Sequence, residues 1–174
     1  GQLKHLNEHN DTRIRNAEYL TSELGQIPGV IPPYSPPDGK HVYWFYPVRF
    51  DPRAAGLDVE PRRFRIAVEK ALFKEGVLVG QWQVMPTPAQ DLFQSMLGIG
   101  DRYPWAINEA KGIRYKYDVN DYPEALRYCE AYTNVHSIHP PNGRELNAKV
   151  VEGFHKVFAN LGCAMDHVDD DIRP

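Results

Sequence analysis

Apolar residues recur at three- and four-residue steps near the start of the chain: Leu3 and Leu6, then Ile14, Ala17, Leu20 and Leu24. That period puts them on one helix face, so residues 2–24 are expected to form one long helix. Gly25 should stop it, and Pro28-Gly29 confirms the break. Between Leu6 and Ile14 the stripe lapses into Asn7, Glu8, His9, Asn10, Asp11 and Arg13. A helix that is polar at that point is expected to bridge to another domain or to face a neighbour outside this sequence.

Four prolines, Pro32, Pro33, Pro36 and Pro37, predict an extended loop ending at Asp38-Gly39. The run from His41 to Phe50 is dense in aromatic and β-branched residues and reads as the strongest strand, with Pro47 marking an edge or bulge. Glu60-Pro61 opens a second helix with Phe64, Val68, Leu72 and Phe73 as its apolar face and Gly76 as its cap. Residues 77–79 read as a short buried strand, and residues 89–97 as a short helix. Residues 98–122 have no clean period but hold Tyr103, Trp105, Tyr115, Tyr117 and Tyr122, which suggests an ordered long loop or insertion, often functional in compact domains. A helix over 123–132 and a strand over 135–138 follow. Asn142 is the expected N-cap of a last helix, 144–161, with Leu146, Val150, Phe154, Val157, Phe158 and Leu161 as its core stripe. The economical arrangement is an α+β fold: a small, mostly antiparallel sheet covered by helices.

Composition narrows the function more than the fold. The 20 basic and 23 acidic residues leave a formal net charge of −3, which argues against a nucleic-acid partner and against a polybasic membrane-surface protein. No stretch approaches the roughly 18 apolar residues of a membrane span, and no signal-peptide pattern opens the chain. The two cysteines, Cys129 and Cys163, have no metal-type spacing, so reduced thiols and a cytoplasmic location are expected. The chain opens directly on helical pattern without an initiating methionine, as a piece cut just before a helix would.

Few motifs carry chemistry. His5, Glu8 and His9 match the inverted zinc-protease pattern, two imidazoles four apart with a glutamate between them. No later acidic helix offers a third ligand, so solvated surface histidines are the expected reading. His136, His139 and His155 likewise read as core or surface residues. No phosphate-cradling glycine loop, nucleophile elbow or cysteine nucleophile pattern is present. The residues alone describe a domain without a self-contained catalytic set.

The order of several local signatures resembles the C-terminal part of the DegT/StrS family of pyridoxal-phosphate-dependent, fold type I aminotransferases. The stretch from Asn10 through Arg13, Asn16, Ala17 and Leu20 is similar to the family's connecting helix. Ile27-Pro28-Gly29 resembles the break after it, and His41 through Arg49 the family's histidine-aromatic strand. Arg62 through Leu72 with Glu75-Gly76-Val77 resembles its next helix and strand, and Pro123-Glu124-Ala125 through Pro141 its proline-alanine helix and following strand. The likeness spans residues 10–161. The chain departs from the family at Gln81-Trp82-Gln83-Val84-Met85, where a histidine is usual, and in the length of 98–122.

The resemblance implies residues 1–24 as connecting helix, 25–165 as C-terminal small domain and 166–174 as an acidic mobile tail. It implies a domain that closes over a keto-sugar or cyclitol, with Trp82, Gln83, His41 and Tyr43 as candidate substrate contacts. Pyridoxal phosphate belongs to the full-length protein and is not expected on this chain, because the family's cofactor lysine and pyridine-pairing aspartate lie in a preceding large domain. The implied partners are that large domain, a second copy in a homodimer and a sugar-type small molecule. A standalone binding module derived from the same domain is the alternative reading.

Overall fold

The computed structural model describes residues 1–168; residues 169–174, most of the expected acidic tail, lie outside the described residues. The chain divides into two compact units, one of residues 1–82 and 131–174, the other of residues 83–130.

The first unit opens with a short 3-10 turn, Gln2–His5, leading into helix α1, Leu6–Leu24. Ala17, Leu20 and Leu24 are fully buried, as the stripe predicts, but Leu3 and Leu6 are exposed. Strands β1 (Val30–Ile31), β2 (Pro47–Phe50), β3 (Val79–Gly80) and β4 (Tyr132–Val135) form one antiparallel sheet in the order β1-β2-β4-β3. Helix α2, Pro61–Lys74, lies on the sheet, and its cap is built by Glu60, whose carboxylate accepts from the Arg62 and Arg63 amides at 2.9 and 2.8 Å. Register places Val48 opposite Thr133 and Val79 opposite Val135. These side chains therefore share a face, the one on which Phe50 meets Phe64 of α2 at 6.3 Å between ring centroids. Between the layers Arg65 pairs with Glu69 at 2.5 Å, and burial raises the Glu69 carboxyl against the opposing pull of Thr133 and Arg65.

Four expected elements are corrected. The run 41–50 forms a strand only over Pro47–Phe50, because residues 41–46 pack as a local ring cluster and Tyr43 turns the backbone to φ 48°. The strand expected over 77–79 is Val79–Gly80, and the one over 135–138 ends at Val135, since the preceding helix stops at Ala131. Phe73 and Leu146 sit on solvent-facing turns of their helices and are exposed. The last helix begins after Gly143, not Asn142, and breaks at Asn160 into α6 (Arg144–Ala159) and α7 (Leu161–Asp166). Helices α3, α4 and α5 belong to the intervening segment.

The second unit, 83–130, holds α3 (Asp91–Ser95), α4 (Trp105–Ala110) and α5 (Pro123–Ala131), which ends where the chain returns to the first unit. The helix expected over 89–97 is the shorter α3, Asp91–Ser95, preceded by a 3-10 turn at Thr87–Ala89. Two aromatics of the expected insertion make a small core with Phe93, which packs edge-on against Trp105 and Tyr117, and the Trp105 indole donates to the Tyr117 hydroxyl at 3.0 Å; Tyr103, Tyr115 and Tyr122 are exposed. Gly98 is required here, because its φ is +59° and a Cβ would come within 2.1 Å of the Tyr103 carbonyl oxygen.

Candidate functional site

Helix α1 organises one end of the first unit. Arg13 donates from Nε to the Val42 carbonyl at 2.9 Å and also to the Asn10 side chain. Buried Asn16 donates from Nδ2 to the carbonyls of Ile138 and Asn142, both at 2.9 Å. Thr21 meets the Tyr46 hydroxyl at 2.9 Å. One helix face thus fixes both the 41–46 segment before β2 and the 136–142 turn after β4. The carbonyl expected to belong to an Asn142 cap is spent on Asn16. Ser137 and Asn147, hydrogen-bonded at 2.6 Å and buried, tie the same turn to the start of α6.

On this frame four rings follow one another. The His139 ring lies 6.2 Å from Trp44, Trp44 lies 6.0 Å from Phe45, and Phe45 lies 5.6 Å from Trp82, which follows β3. Trp44 is 68% and Trp82 76% exposed. A lone exposed indole needs no explanation, but two joined through a half-buried Phe45 make a broad apolar surface of the kind that meets a ligand or partner. His136 stands beside it, since a Cβ on Gly80 would lie 3.8 Å from its Nε2. Burial, then the Arg13 cation and then His136, hold His139 below the usual histidine range. That shift favours the neutral imidazole, one nitrogen of which is hydrogen-bonded to the Trp44 backbone, leaving the other to accept.

The expected contact residues are placed differently from one another. Trp82 is on the ring series. His41 and Tyr43 form a pair of their own: the Tyr43 amide donates to His41 Nδ1 at 3.0 Å and the rings are 4.1 Å apart. Tyr43 is buried and reaches Tyr46, so its ring belongs to the core side, while His41 is exposed. Gln83 lies in the second unit, where its amide donates to Thr87 Oγ1 at 2.9 Å. Trp44 and His139 were missed, and the cue was available in Trp44, a tryptophan within a run that alternation divides between two faces.

The histidines at the start of α1 do not assemble a metal site. His5 Nδ1 sits 3.4 Å from Glu8 and the His5 and His9 rings are 6.0 Å apart, and among the described residues no group of three or more candidate ligands gathers.

Pyridoxal phosphate requires a lysine, a carboxylate against the pyridine nitrogen and groups for the phosphate. The described lysines that share a cleft are Lys70, Lys74 and Lys156, between α2, α6 and α7. Lys70 is held by the Val168 carbonyl at 2.8 Å and Lys156 by Glu75 at 2.6 Å. Among the described residues the cleft's single carboxylate is thereby committed to Lys156, which leaves none to pair with a pyridine nitrogen. These residues do not fit the cofactor.

No family profile and no curated protein matches the chain. Solved structures do. It is similar to the aminotransferase TlmJ from Streptoalloteichus hindustanus, with 20% identity and a TM-score of 0.61 over 92% of this chain and 35% of that one. It is similar to a DegT DnrJ EryC1 StrS aminotransferase from Brucella abortus, with 15% identity and a TM-score of 0.60 over 91% and 34%. It is also similar to Spr1654 of Streptococcus pneumoniae, assigned as a sugar aminotransferase and solved in its PLP form, with 15% identity and a TM-score of 0.65 over 92% and 34%. At these identities the likeness is one of fold. The chain has the fold of a fold type I aminotransferase small domain and spans about a third of the length of the structures it matches.

Proposed function

We propose that this chain is the C-terminal, substrate-closing domain of a pyridoxal-phosphate-dependent aminotransferase acting on a keto-sugar or cyclitol, and that it is inactive without the large domain that binds the cofactor. The observation that carries this reading is the asymmetry of the match: about nine-tenths of this chain is accounted for by about one-third of each aminotransferase. The lack of fit between the Lys70, Lys74 and Lys156 cleft and the cofactor supports it from the other side.

In this reading residues 1–24 connect the two domains and 25–165 close over the substrate. The cofactor, when bound to the large domain, supplies the electron sink that transamination needs. This chain's residues contribute shape and exclusion of water. Trp44 and Trp82 present apolar ring faces to a sugar's C–H groups, and neutral His139 can orient a hydroxyl. His41 is a further candidate contact, whereas Tyr43 acts by holding His41. Gln83 is a further candidate contact. Exposed Leu3 and Leu6 at the start of α1 suit docking against the large domain.

The test is to read the coding sequence upstream of Gln2 and to express the chain with and without any domain found there. A preceding domain with a cofactor-bearing lysine, and amino transfer seen only when both are present, is the expected result. A stoichiometric cofactor adduct on one lysine of this chain alone would overturn the proposal.

A further inference from the structure

The cleft that fails as a cofactor site has a different chemistry. Ala67 and Ala71 lie one turn apart on α2, and with Val157 of α6 and Ala164 of α7 they form a floor of short apolar side chains. Alanine at these positions leaves the groove between the helices unfilled, with a volume of about 320 Å³. Around the rim stand Lys70 and Lys74 from α2 and Lys156 from α6. Among the described residues one carboxylate, Glu75, faces them. In a chain whose formal net charge is −3, this is a concentration of positive charge.

The ammonium groups are not equivalent. Lys70 is oriented by the Val168 carbonyl, and Lys156 is shared with Glu75. Lys74 has no carboxylate within pairing distance among the described residues and is exposed at the cleft rim. Asn160 also lines the cleft, its amide nitrogen donating to the Lys156 carbonyl at 2.8 Å. Among the described residues no arginine lines the cleft, so no guanidinium fork is there to grip an anion from two sides. Several ammonium point charges gathered around an apolar floor suit a tetrahedral dianion instead.

The geometry points to a binding site for a small phosphorylated molecule in the α2–α6–α7 cleft, its phosphoryl group on Lys74 and Lys70 and a short apolar body on the alanine floor. Exposed Cys163 lines the same cleft and reports on its occupancy, while half-buried Cys129, in the other unit and with its thiol pushed up by burial, serves as the internal control.

The probes are phenyl phosphate, inorganic phosphate, benzoate and phenol, titrated against the full chain by calorimetry with residues 169–174 in place. Phenyl phosphate is expected to bind more tightly than the other three, to weaken about tenfold in K74M, and to slow alkylation of Cys163 but not of Cys129. The K70M variant tests the second ammonium, and retained circular dichroism separates lost binding from lost folding. Equal binding of benzoate would overturn the phosphoryl assignment. Unchanged affinity in both K70M and K74M, or unprotected Cys163 at saturation, would overturn the site itself.

Discussion

Arg13, Asn16 and Ala17 fall within two turns of α1 and act in two different ways. Arg13 and Asn16 satisfy loop carbonyls, and Ala17 is small enough to vanish into the interface with no exposed surface. Removing the Asn16 amide in N16A leaves the Ile138 and Asn142 carbonyls short of a donor at a buried junction. A loss of about 2 kcal/mol is expected in urea denaturation, and a change within experimental error would show that water replaces the amide. Gly29 has φ +89°, and a Cβ there would come 2.5 Å from the Ala55 methyl. G29A should therefore lower stability by more than about 1 kcal/mol, read as a fall in melting temperature. For His139 the sign follows from its depressed affinity for a proton. The unfolded chain takes up that proton near the ordinary value of about 6.5, before the native one does. The contribution is present above that pH and lost as pH falls through it and toward the native value. H139Q should thus lose less stability than the parent between pH 7 and pH 5, and identical melting curves in that window would contradict the assignment.

At the scale of elements, periodicity was informative wherever one face of a helix carried the burial. The stripe of α6 was legible through Val150, Phe154 and Val157, and that of α2 through Phe64, Val68 and Leu72. It misled at Phe73 and Leu146, where a residue one step off the stripe is apolar but points outward. The cap of α2 is set by Glu60 and is testable: E60A removes the acceptor for two amides and should cost about 1 kcal/mol, with the loss confined to early α2 amides in hydrogen exchange. The 41–46 segment illustrates a limit. Aromatic residues favour a pleated surface only when a neighbouring strand is there to receive them. Here Arg13 takes the Val42 carbonyl and the rings pack on one another, so the ladder begins only at Pro47.

At the scale of the whole molecule, the order of strands reveals how the chain is assembled. Gly80 of β3 pairs with Asn134 of β4, so Trp82 and Tyr132 stand at the open end of an antiparallel pair. The second unit, 83–130, is inserted between those ends. A pair with this register can be closed by a two-residue turn. Replacing residues 83–131 by Asn-Gly should yield a chain that retains the circular dichroism and cooperative melting of the first unit. An unfolded product would show that the insertion is needed for the sheet.

The sequence by itself determined helices α1, α2, α5 and α6 and the α+β class, because these depend on spacing within one element. Only the tertiary structure decided which rings share a surface, that Asn142's carbonyl serves Asn16, and that lysines from two helices converge on one cleft. Each of those facts joins residues far apart along the chain: Asn16 lies 126 positions from Asn142, and no local period records where two such residues will meet.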